Sequence, residues 1–251
     1  MKAIKEAWGG LLKPVFVPAS VVIIGMIAFS VIYASTAADA FDTLNGIIAD
    51  GVGWWYILAA TGFVLFALYC GLSRVGNIRL GRDDEKPEFG VLSWFAMLFS
   101  AGMGIGLVFY GVAEPLSHYV TPPEAGGIPG STDAAARQSM ELTLFHWGLH
   151  AWAIYVVVGL GMAYMTYRKG RPLTVRWLLE PLLGRKRIEG GIGHTIDAVA
   201  IVGTLFGVAT SLGFGVQQIS AGLEYLGWVE TSNWFVVFLI AVITGIATFS
   251  V

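Results

Sequence analysis

Ser100-Ala101-Gly102-Met103-Gly104-Ile105-Gly106-Leu107-Val108-Phe109-Tyr110-Gly111-Val112-Ala113-Glu114-Pro115 is the stretch on which the fold turns. It continues an apolar run that starts near Val91 and is long enough to cross a bilayer. Three glycines alternate through its middle, at 102, 104 and 106. Each weakens a helix relative to alanine, because glycine loses the most backbone freedom on ordering. Gly102 and Gly106 form a GxxxG pair, which suits close helix–helix packing. The same residues suit a discontinuous helix, whose released backbone groups must then face protein, an ion or water. Spacing alone leaves these two readings level.

Composition sets the class. The 251 residues are 56% hydrophobic and 13% charged, with a mean hydropathy of +0.71, which describes an integral membrane protein. A net charge of −2 does not suit nucleic acid as a partner. One cysteine, Cys70, allows no intrachain disulfide and no cysteine-based metal site. The first apolar run is span-length and is entered through Pro14 and Pro18, so it reads as a membrane helix rather than a signal peptide.

Working outward from the glycines, hydropathy predicts six spans: 16–35, 54–72, 91–113, 140–164, 195–219 and one from 234 onward. Trp54, Trp55 and Tyr56 read as an interfacial belt. Lys2, Lys5 and Lys13 precede span one, and the other large basic groups lie between spans two and three and between spans four and five. Of the 15 Lys and Arg, only Arg137 falls on the opposite side, which predicts a cytoplasmic N-terminus. The loop 115–137 reads as an exterior turn region. The basic segment 171–191 reads as a short interfacial helix whose charges signal topology or meet anionic lipid headgroups.

Three sets of residues are candidates for chemistry. On a continuous span four, Trp147, Trp152 and Tyr155 fall within an arc of roughly 140°. Aromatic faces attract cations, above all quaternary ammonium groups, although tryptophans in spans are more often packing or belt residues. His146 and His150 have the i, i+4 spacing of a zinc helix but no glutamate at 147, so they read as polar groups bonded within the bundle. In span five, Gly203, Gly207, Ser211 and Gly215 form a smooth ridge. Thr204, Thr210 and Ser211 offer hydroxyl oxygens to a hard cation or, more commonly, bond back to their own helix. Asp197 reads as a cap at the start of that span rather than as a proton relay. No nucleophile–base pair, metal-ligand cluster or phosphate loop suggests an enzyme or a cofactor.

The run at 102–116 resembles the betaine/carnitine/choline transporter family. So do Arg79-Leu80-Gly81-Arg82-Asp83 with Pro87-Glu88-Phe89, the segment 146–155, and Thr204-Leu205-Phe206-Gly207 with Ser211-Leu212-Gly213. The resemblance implies an all-α, twelve-span secondary transporter of the inverted-repeat, LeuT-like kind, of which this chain holds the N-terminal part. Residues 1–90 would supply two leading spans, and 91–251 an incomplete first repeat that cannot transport alone. It also implies an unwound third span, with Met103, Gly104 and Gly106 at the substrate and Trp147, Trp152 and Tyr155 as aromatic walls. In sodium-coupled members the ions would map to carbonyls of Ser100 and Met103 and to the Thr204 hydroxyl. Val208, where a threonine stands in a well-studied sodium-coupled type, departs from that pattern. Gly106, where choline carriers tend to have an acidic residue, points to zwitterionic glycine betaine. The implied setting is the inner (plasma) membrane, with membrane lipid as a partner and a homotrimer as the assembly. The alternatives are a proton-coupled or exchanging choline or carnitine carrier on the same fold, and a non-transporting membrane fragment that associates through its glycine ridges.

Overall fold

The computed structural model describes residues 11–249, without the side chains of Ala101, Ile105 and Ala125; Lys2 and Lys5 of the topology argument lie outside the described residues. Among the described residues every regular element is helical. They divide into two compact units: one uses the chain up to Glu85 together with Leu149–Thr204, the other Lys86–Gly148 and the chain from Leu205 onward.

In the first unit, α1 spans Lys13–Ile32, with a proline in its first turn, where the missing N–H costs no hydrogen bond. After one residue, α2 runs unbroken from Ala34 to Leu72. The expected boundary loop before Trp54 is therefore helix. That segment holds no proline, and its alanines favour helix strongly enough to carry three scattered glycines. At 39 residues, α2 is about 58 Å long, roughly twice the thickness of a hydrocarbon core. Trp54 and Trp55 meet edge to face within it, both largely exposed. α2 packs on α6 (Leu149–Ala163), where Thr61 Oγ1 lies 3.4 Å from His150 Nε2. That places His150 in the structural role expected of it.

The basic segment after α6 folds into short turns, at Val175–Leu179, Glu180–Leu183 and Arg185–Ile188. They close over a small core of Met165, Trp177 and Ile188. Arg171 pairs with both oxygens of Glu180 and stacks its guanidinium 5.0 Å over Trp177. Asp197 then shows a role different from the expected cap. It lies in the second turn of α7 (Gly191–Tyr225), where its Oδ1 accepts the Arg176 backbone N–H at 3.0 Å and its Oδ2 stands 3.1 Å from Arg176 Nε. Both side chains are nearly buried, so this carboxylate ties the folded turns to α7.

In the second unit, α3 (Val91–Gly102) and α4 (Ile105–Val120) replace the single third span. α4 continues through Pro115, beyond the expected end at Ala113. A short connection containing a 3-10 turn leads to α5 (Asp133–Trp147), whose first turn is capped by the Thr132 hydroxyl accepting the Ala135 N–H. The expected continuous span four is divided between α5 and α6 at Gly148, which lies outside helical geometry (φ −89°, ψ −138°). A Cβ at this position would strike the Leu144 carbonyl oxygen, so the close approach requires glycine. α8 covers Asn233–Phe249.

Four helical stretches, Lys13–Ile32, Ala34–Leu72, Asp133–Arg168 and Gly191–Tyr225, are long and apolar enough to cross a membrane; Val91–Ser100 and Asn233–Phe249 are apolar but shorter. Large apolar side chains such as Val31, Leu72 and Trp234 are three-quarters or more exposed.

Candidate functional site

The glycine stretch is broken, which settles the first question the sequence raised. α3 ends at Gly102, Met103 takes a non-helical conformation (φ −91°, ψ 49°), and Gly104 is extended (φ −67°, ψ 166°). The Met103 N–H still donates to Phe99. The N–H of Leu107, which would reach the Met103 carbonyl in an unbroken helix, donates to Gly104 instead at 3.1 Å. Met103 and Gly104 are exposed, so this turn presents backbone polar groups outward.

Directly after the break, α4 turns one face to α5. A Cβ on Gly106 would sit 3.5 Å from the Trp147 ring, so the glycine lets backbone come close to the indole. One turn on, Tyr110 stacks on Trp147 with ring centroids 5.6 Å apart and planes at 22°. Tyr110 also meets Phe109 and Phe214 edge to face, and those two stack on each other at 5.3 Å. The indole N–H of Trp147 donates to Glu114 Oε2. A ring held by a stack and by a hydrogen bond has little rotational freedom left. The unwound turn, Gly106 and Trp147 thus form one ordered constellation within the second unit, from residues more than forty positions apart.

Trp152 and Tyr155 belong to the first unit. They pair with each other at 5.7 Å, tilted by 36°, and both are exposed. The helical arc expected for Trp147, Trp152 and Tyr155 does not hold, because Gly148 interrupts the helix between the first and the other two. The span-five hydroxyls behave as hydroxyls in membrane helices commonly do: Thr204 donates to the Ala200 carbonyl at 2.8 Å and Thr210 to that of Phe206 at 2.9 Å. Each keeps oxygen lone pairs that can still accept or coordinate.

Glu114 has a role that its place in the sequence did not disclose. Its carboxylate gathers His146 Nδ1, the Trp147 indole N–H and His118 Nε2, the last at 3.4 Å. The i, i+4 spacing of Glu114 and His118 was a readable signal for one contact. The contacts to His146 and Trp147, 32 and 33 positions away, left no periodic trace.

Compared with known proteins, residues 14–251 match the model of the betaine/carnitine/choline family transporters. The chain is 47% identical to the glycine betaine transporter OpuD of Bacillus subtilis over 226 residues, which is 88% of this chain and 43% of that protein. It is 48% identical over 204 residues to the high-affinity choline transport protein of Escherichia coli, covering 81% of this chain and 30% of that one. An uncharacterised transporter of Mycobacterium tuberculosis is 69% identical over 249 residues, 99% of this chain and 42% of its own. The chain spans less than half the length of each of these relatives.

Proposed function

The chain belongs to the betaine/carnitine/choline transporter family, and from that premise we propose that it carries part of the substrate site of a secondary transporter importing a quaternary ammonium solute such as glycine betaine. Its family is one of transporters rather than enzymes, and its apolar helices make it a multi-pass membrane chain. The observation that carries the proposal is the meeting of a helix break at Met103–Gly104 with the Trp147 ring across Gly106. A quaternary ammonium group donates no hydrogen bond, so recognition falls to an aromatic face, which attracts it through its quadrupole. A carboxylate on the same solute suits backbone N–H groups released by the break, assisted by the positive N-terminal end of α4. Trp152 and Tyr155 offer the same cation-attracting chemistry in the first unit.

Gly106 sets the choice between substrates. Glycine betaine brings its own negative charge, whereas choline is a net cation and gains from a counter-charge. The Cβ position at Gly106 is in ordinary van der Waals contact with Trp147, so a β-carbon is accepted there without displacing backbone. The remaining parts of the proposal are six spans in this chain, a cytoplasmic N-terminus in the plasma membrane, a trimeric assembly and import driven by sodium. The Ser100 and Met103 carbonyls are the oxygens proposed for one ion, and the Thr204 hydroxyl for a separate one. The side chain of Val208 has no oxygen, which favours a second reading, proton coupling or exchange on the same fold.

Uptake of labelled glycine betaine and choline by vesicles containing the native-length protein tests these statements together. Betaine uptake that requires an inward sodium gradient is expected. Gly106→Asp should raise choline uptake relative to betaine by about tenfold, the ratio that about 1.4 kcal/mol of added charge pairing gives. Betaine uptake indifferent to sodium selects the second reading, and absence of uptake of either solute contradicts the proposal.

A further inference from the structure

We propose that Glu114, His118 and His146 form a binding site for a borderline transition-metal cation of the Zn2+ kind. The three side chains each offer one ligand atom, and those atoms lie within 4.8 Å of one another. Glu114 and His118 share one face of α4 at i, i+4, and His146 comes from the last turn of α5, so an ion joins two helices by coordinate bonds. The His118 Nε2 to Glu114 Oε1 separation of 3.4 Å already matches the donor–donor spacing of about 3.3 Å that tetrahedral zinc requires. His146 Nδ1 lies within hydrogen-bond reach of Glu114 Oε1, and a bound ion replaces that hydrogen bond.

Two imidazoles and one carboxylate suit zinc and its neighbours and exclude the all-oxygen preference of Mg2+ and Ca2+. Trp147 supplies the outer support such sites need: its indole N–H holds Glu114 Oε2 and leaves Oε1 facing the two histidines. The His118 and His146 side chains are 22% and 47% exposed, which leaves room beside them for a fourth ligand.

The test is a Co2+ titration of the native-length protein in lipid nanodiscs, followed by visible ligand-field absorption. A saturable tetrahedral spectrum is expected, displaced by Zn2+ and unaffected by Mg2+. His118→Ala and His146→Ala should each weaken it by about tenfold or more, while His150→Ala and His194→Ala leave it unchanged. No saturable signal in the unaltered protein overturns the proposal, as does a signal insensitive to the first two substitutions. A second measurement needs no variant: Zn2+ should shield His118 and His146, and not His194, from diethyl pyrocarbonate, read residue by residue by mass spectrometry. Equal modification of His118 and His146 with and without Zn2+ overturns it too.

Discussion

Asp197→Ala is expected to lower the stability of the protein by about 3–5 kcal/mol, the cost of stranding a buried charge by deleting its partner. The Arg176 and Asp197 side chains are only 12% and 7% exposed. The same carboxylate accepts the Arg176 backbone N–H, so truncation leaves the guanidinium without its counter-ion and the amide without its acceptor. Asp197 also ties α7 to the turns that enclose Met165, Trp177 and Ile188, and its loss loosens that small core. Asp197→Asn keeps an oxygen for the amide and should cost less than the alanine variant. Denaturant unfolding in detergent micelles, followed by circular dichroism, measures both. A loss below about 1 kcal/mol for Asp197→Ala, the range of an exposed pair, would contradict the structural role assigned to it.

Trp147→Leu is expected to weaken glycine betaine binding by about thirtyfold, equivalent to the roughly 2 kcal/mol that a desolvated cation gains over an indole face. Leucine keeps apolar character but removes the aromatic face, the stack on Tyr110 and the hydrogen bond to Glu114. Trp147→Phe separates these contributions, because it retains a ring and loses only the N–H donor and part of the face. It should fall between the leucine variant and the unaltered protein. Equilibrium binding of labelled betaine to the native-length protein measures the series. Affinity unchanged in Trp147→Leu would remove this ring from the site.

The contrast between what the sequence disclosed and what it withheld follows from the range of the interactions. The break at Met103–Gly104 was legible as one of two readings because alternating glycines weaken a helix locally, whatever surrounds it. The helical class was legible because long apolar runs leave a membrane chain little other choice. The break at Gly148 was not, since a single glycine is tolerated in an apolar helix and only the close approach to Leu144 makes it necessary. The length of α2 was missed for the opposite reason: acidic residues and scattered glycines resemble a loop, yet no proline stops the helix. Asp197 looked like a cap because its partner on the turn at Arg176 lies 21 positions away. Glu114 shows both limits at once, with one partner a turn along its own helix and two on another.

In the proposed site a helix break and a tryptophan ring together recognise a quaternary ammonium cation. That recognition is tested most directly by competition against labelled glycine betaine with 3,3-dimethylbutanoate, which replaces the quaternary nitrogen by carbon and keeps the shape and the carboxylate. Unlabelled glycine betaine should displace the label, while the carbon analogue should compete about thirtyfold more weakly for want of the positive charge. Equal competition by the two would show that the site reads shape and carboxylate alone, and would contradict the role given to Trp147.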